Sequence, residues 1–276
     1  MAWVMMAAVG AAGAWGVSDF LAGALARRLP VLTILIGSKI AAMMLALLAA
    51  AVRHTRPEWN GRLWLGVAAG VVGLPAMGLL YRAIRDGSPA VVAPVAALAA
   101  LLPVGWGLLH GERLGLGAAL GVGTGLVGAT MTSWPVAGLD RRPRQRSANL
   151  SALAAALGFG VYFVLLHEAG AADEFWGLAL ARITEGVCAL VLALALGRCV
   201  RTLINAPIVV VGATDAVADG AFIAAAASAL APAAVVASLY PAVTLLLNRS
   251  FLHERLHAVH FYGVLAALLA VACLAR

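Results

Sequence analysis

Apolar residues run through this chain in long stretches, parted by short breaks rich in glycine, proline and arginine. A stretch of about 20 apolar residues has the length of a membrane-spanning helix. The pattern predicts ten of them: first near 2–26, 31–52, 63–84, 89–109 and 114–134, then near 150–166, 175–196, 208–229, 232–251 and 259–274. The first lacks a basic start, exceeds the apolar part of a signal peptide and carries Asp19, so it reads as a retained spanning helix. The eighth and ninth are barely separated. Pro232 places a break there, as Pro89 does at the head of the fourth, because proline suits the first turn of a helix. The longest polar stretch, 137–149, holds Arg141, Arg142, Arg144 and Arg146. The expected organisation is a five-helix repeat at 1–136, a basic linker at 137–149 and a second five-helix repeat at 150–276, together one domain.

The two sets echo each other in detail. Glu112-Arg113-Leu114 is followed after six residues by Gly121, and Glu254-Arg255-Leu256 after six residues by Gly263. Lys39 in the second stretch matches Arg182 in the seventh, each a strong base inside an apolar helix. Five is an odd number, so the second copy enters the membrane in the opposite sense. The expected fold class is an all-α polytopic membrane protein, with ten transmembrane helices as an inverted 5+5 internal repeat. Binding sites in such chains form where the repeats meet.

Composition sharpens this reading. Hydrophobic residues make up 63% of the 276 and charged residues 11%, which excludes a soluble domain. The net charge of +7 comes from arginines in the short connections, where they act as topology signals and anchors for anionic lipid; no nucleic-acid partner is expected. Arg27, Arg28, Arg85, the four linker arginines, Arg198, Arg201 and Arg255 follow odd-numbered stretches, against Arg53, Arg56, Arg62, Arg113 and Arg276 elsewhere. That bias places the linker in the cytoplasm and both termini outside. Cys188, Cys199 and Cys273 lack metal-ligand spacing and read as packing residues.

Ionisable groups within spanning helices face a partner, the bundle interior or a water-filled path. Asp19, Lys39, Arg182, Glu185, Asp215 and Asp219 are the candidates. Arg182 and Glu185, three apart, share a helix face and read either as a structural pair or as a pair that lends a charge to substrate. Asp215 and Asp219, four apart, also share a face. Two close carboxylates in a poorly solvated site do not both ionise readily, the chemistry of proton coupling; the bland reading is neutralisation by Lys39 or Arg182. Asp19 is placed to pair with Lys39. Trp15, Tyr81, Phe159, Tyr162 and Tyr240 are candidate cavity walls, though each also suits ordinary packing. Glu112 and Glu254, at helix ends, read as structural ties to backbone amides or to the following arginine. Gly117, Gly121 and Gly125 allow close helix contact.

His253-Glu254-Arg255-Leu256-His257 matches H-E-x-x-H, which opens a zinc hydrolase as an alternative. Against it, Gly111 and Gly115 occupy the equivalent positions in the first half, and His260 is too close for a third ligand in the extended pattern. No cofactor is expected. A non-transporting membrane scaffold is a further alternative, for which the short loops leave little surface.

Taken together, the chain resembles the EamA-like branch of the drug/metabolite transporter superfamily over nearly its whole length. Trp15-Gly16 is similar to that family's early Trp-Gly. Lys39 and Arg182 match its basic position in the second helix of each half. Tyr240-Pro241-Ala242-Val243, thirteen residues before Glu254, is similar to its proline-containing run before the terminal Glu. The first half departs with Ala99 and Pro103, and Lys39 replaces the usual Arg. The resemblance implies a ten-helix carrier of the bacterial cytoplasmic membrane that exports amino acids, metabolites or drugs on a proton or exchange gradient. It also implies cytoplasmic termini, against the arginine bias, so orientation stays open. The expected partners are a small-molecule substrate, the bilayer and protons, with the protein a monomer or homodimer.

Overall fold

The computed structural model describes residues 2–26, 28–53, 56–58, 60–86, 98–132, 145–199, 203, 205–252 and 258–274. Every regular element among them is helical: α1 Ala2–Ala26, α2 Val31–Arg53, α3 Leu63–Asp86, a 3-10 turn Leu98–Ala100 leading into α4 Leu101–Leu109, and α5 Leu116–Thr132. Then come α6 Gln145–Gly170, α7 Glu174–Ala195, α8 Ala206–Ala226, α9 Leu230–Ala237, α10 Tyr240–Leu252 and α11 Ala258–Leu274. Seven helical segments among the described residues are long and apolar enough to cross a membrane, and three shorter apolar ones accompany them. The chain is an integral, multi-pass membrane protein.

Local chemistry sets the ends. Asp173 accepts from the Trp176 amide at 2.8 Å to start α7, and Asn205 accepts from Ile208 at 3.1 Å to start α8, ahead of Pro207 in its first turn. α4 closes on Gly111 at φ +94°, where Glu112 N–H bonds the Gly107 carbonyl and Gly111 N–H bonds Leu108, a turn that favours glycine. Two boundaries differ from expectation. Residues 145–149, read as linker, form the first turns of α6, because the sequence after Pro143 carries no helix breaker; residues 133–144 lie outside the described residues. The ninth span, Leu230–Phe251, is split at Ser238-Leu239 into α9 and α10. Proline at 241 has no N–H to bond the Ala237 carbonyl, so a continuous helix is interrupted there.

The bundle is assembled across the two halves. α1 packs on α8, α2 on α7, α3 on α6 and α5 on α11. Small residues make the contacts close, since lipid supplies no hydrophobic drive between helices. A Cβ at Gly70 of α3 would meet the Ala181 carbonyl at 2.5 Å and Thr184 at 2.6 Å on α7. Large apolar side chains turn outward instead, with Leu109 84% and Leu116 80% exposed, while Arg182 is 1% exposed. Apolar outside and charged inside is the arrangement a bilayer selects.

Glu112 ties this assembly across the halves. Its carboxylate accepts from the Leu230 and Ala231 amides at 2.5 and 2.9 Å, capping α9 from a loop 118 residues away in sequence. These amides are distant in sequence and near in space because the α4–α5 loop and the start of α9 meet. Gly121 and Gly263 are buried, whereas Glu254, His253 and His257 lie outside the described residues.

Two stability outcomes follow. Glu112→Ala leaves two helix-end amides without their acceptor and lowers stability by about 1–2 kcal/mol. Gly70→Val wedges α3 from α7 and destabilises by about 1–3 kcal/mol. Melting of purified protein in detergent measures both, with Gly10→Ala, which meets no atom within 4 Å, as the silent control.

Candidate functional site

Three helices bring five charged side chains into one buried cluster. α2 supplies Lys39, α7 supplies Arg182 and Glu185, and α8 supplies Asp215 and Asp219. Lys39 Nζ lies 2.9 Å from Asp215 Oδ2 and 3.2 Å from Glu185 Oε2. Arg182 Nη1 lies 2.9 Å from the same Asp215 oxygen and 2.7 Å from the same Glu185 oxygen. Each carboxylate oxygen is thus shared between the two bases. The two cations stand side by side with the anions bridging them.

Arg182 also donates through Nη2 to Asp219 and to the Asp215 backbone carbonyl at 3.2 Å. Its Nε is buried without a partner. Asp219 is the most heavily bonded acid. It accepts from Arg182, from the Tyr162 hydroxyl and from the Trp15 indole at 3.1 Å. Asp215 is bonded through one side-chain oxygen only, and its side chain is 13% exposed against 2% for Asp219.

Glycines make room for this cluster. A Cβ at Gly73 of α3 would collide with the Glu185 carboxylate, and one at Gly212 of α8 would meet the Ser38 carbonyl beside Lys39. The pairs that adjacent helices make here thus depend on backbone approach, not on side-chain reach alone.

A cavity of ≈ 80 Å³ opens against the cluster. Trp15, Asp19, Tyr162 and Tyr240 line it together with all five charged residues, and α9 and α10 contribute Ala237, Ser238 and Tyr240 around the break in the ninth span. Phe159 lines it as well. Tyr81 does not; it packs against the Leu35, Ile36 and Leu74 cluster instead. Asp19 forms no ion pair with Lys39, which turns to Asp215 and Glu185. Its side chain is exposed in the cavity. Phe163 and Phe222, which no sequence signal distinguished from ordinary core, complete the aromatic wall, with ring centroids 5.3 and 5.9 Å from Trp15.

The two motifs that carried the family resemblance meet at this wall. Trp15 faces Tyr240 at 6.3 Å, Thr244 donates to the Gly16 carbonyl at 3.2 Å, and a Cβ at Gly16 would meet Val243 at 2.5 Å. Residues 2–134 match the EamA-like transporter family. The fold extends through the rest: a protein of known crystal structure, 18% identical, superposes with a TM-score of 0.78 over 98% of this chain and 95% of its own. No curated protein matches the chain. The chain is a polytopic membrane protein, and its residues 2–134 are similar to a family of small-molecule transporters. Among its described residues, no group of three or more His, Cys, Asp or Glu is arranged to hold a metal.

Arg182 is the residue whose loss the cluster tolerates least, since three carboxylates depend on it. Removing one partner of a buried charge set costs about 3–5 kcal/mol. Arg182→Met is expected to show that loss. Arg182→Lys is expected to fall between it and wild type, because one ammonium cannot reproduce the forked contacts to Asp215 and Asp219. Melting temperatures in detergent give the order.

Proposed function

We propose that this protein is a secondary carrier that exports a small organic molecule across the bacterial cytoplasmic membrane by alternating access. The observation that carries the reading is the cavity lined from both halves, by α1, α2 and α3 of the first and α6, α7 and α8 of the second, against the buried charge cluster. The packing supports an inverted 5+5 repeat of ten spans. Exchanging the halves turns the α1–α8 contact into α6–α3 and the α3–α7 contact into α8–α2, and all of these are present. The three shorter apolar helices supply the remaining crossings. The cavity lining named here comes from one chain, so a monomer suffices.

The charge balance supports proton coupling. Lys39 and Arg182 face Glu185, Asp215 and Asp219, two positive groups against three negative, leaving one formal negative charge in excess at full ionisation. A proton neutralises that excess. Asp215 and Asp219 share one face of α8 and both bond Arg182, so this pair is the seat proposed for the exchanged proton. Protonation there weakens its hold on both bases at once and loosens α8 from α2, a local event that biases the contact between halves.

Reconstitution into liposomes with an imposed pH gradient tests the reading. Asp215→Asn mimics the protonated state and is expected to reduce gradient-driven solute flux at least tenfold while exchange at equal pH continues. Gradient-driven flux at the wild-type rate in Asp215→Asn removes Asp215 from the coupling.

A further inference from the structure

We infer that the cavity takes a small organic cation, an alkylammonium or protonated amine, with its charge against the Asp19 carboxylate and its carbon chain against Trp15 and Tyr240. This rests on the carrier reading and adds to it the charge of the cargo. Asp19 lies on α1 inside a membrane-length helix, lines the cavity and exposes its side chain there. It makes no hydrogen bond or ion pair with a described residue, in contrast to the other four acids and bases of α7 and α8. An intramembrane carboxylate in a cavity marks a ligand or ion path.

The opposite charge class finds nothing to hold it. Lys39 is 4% and Arg182 1% exposed, and each is already engaged by two or more carboxylates. An anionic or zwitterionic solute placed in this cavity would set its carboxylate beside an acid-rich wall whose two bases are already bound to carboxylates. With Asp19 counted, four acids face two bases. One proton in the cluster still leaves a single negative charge, which a monocation balances.

The wall next to Asp19 suits a cation's body. Trp15 precedes Asp19 by one helical turn, so the two side chains share a face of α1. Tyr240 meets Trp15 edge-on at 6.3 Å with planes at 71°. Aromatic faces attract ammonium groups and bury their carbon. A cavity of ≈ 80 Å³ admits a compound of a few carbons and excludes drug-sized ligands in this conformation.

Melting of the purified full chain with four probes of equal carbon length tests this: butylammonium, 4-aminobutyrate, butyrate and 1-butanol. A ligand that binds the folded state raises the melting temperature by mass action. Butylammonium alone is expected to stabilise wild type. Asp19→Asn is expected to weaken its apparent Kd at least tenfold, and Asp19→Glu to restore much of it. Stabilisation by butyrate or 4-aminobutyrate but not butylammonium overturns the inference. So does an unchanged butylammonium response in Asp19→Asn, or no response to butylammonium in wild type.

The carrier reading is tested apart from the cation. Ser238→Cys, in a background with Cys188, Cys199 and Cys273 changed to Ala, places a thiol at the cavity. Labelling of that thiol by a membrane-impermeant reagent from both sides of sealed vesicles means alternating access. Two-sided labelling with no butylammonium response sinks the cation and leaves the carrier; one-sided labelling sinks the carrier.

Discussion

Lys39 and Arg182 stand on helices that touch, only 4% and 1% exposed, where like charges repel strongly unless counter-charge lies between them. Asp215 and Glu185 supply it, each through a single oxygen shared by both bases. This arrangement constrains everything around it. α2, α7 and α8 hold the register that keeps the bridges formed, and the loss of any bridging partner leaves a buried charge exposed to its like. Buried ion networks contribute little net stability against an apolar core, but they define one arrangement among many. Here that arrangement sets the contact between the halves.

The surrounding packing serves the same constraint. Gly73 leaves space for the Glu185 side chain, Gly70 lets α3 approach α7, and Gly212 brings α8 against α2 beside Lys39. Alanine fills most of the remaining interior, as in Ala181, Ala189 and Ala218. Leucines and valines go outward to the lipid. The interior therefore gains polar contacts and close backbones, and the hydrophobic surface solvates the molecule in the membrane.

The discontinuous segment Leu230–Phe251 joins the scaffold to the cavity. Glu112 holds its start, and the break at Ser238-Leu239 turns Ala237, Ser238 and Tyr240 toward the site. A broken helix offers the hinge that a continuous one lacks, and in carriers such breaks accompany binding sites. Tyr240 then faces Trp15, so α1, α8 and α10 share one aromatic and acidic wall around Asp19 and Asp219.

The apolar stretches and the intramembrane charges were legible in the sequence because each is a local property: length, composition, or a residue where lipid forbids it. The i,i+3 pairing of Arg182 with Glu185 was legible for the same reason, since helical spacing alone places them together. Partnership between distant helices was not. Asp19 and Lys39 look like natural partners on adjacent helices, yet α2 packs on α7 and α8, so Lys39 finds Asp215 and Glu185 while Asp19 is left in the cavity. Trp15 looks like a wall and is also a hydrogen-bond donor to Asp219, 204 residues away. Glu112 reads as a tie to backbone amides, and the amides it holds are those of α9, 118 and 119 residues away. Hydropathy and spacing decide which segments enter the membrane and which faces they present. Which face meets which depends on the packing of all the helices at once, and only that packing decides where the charges find partners and which one stays free.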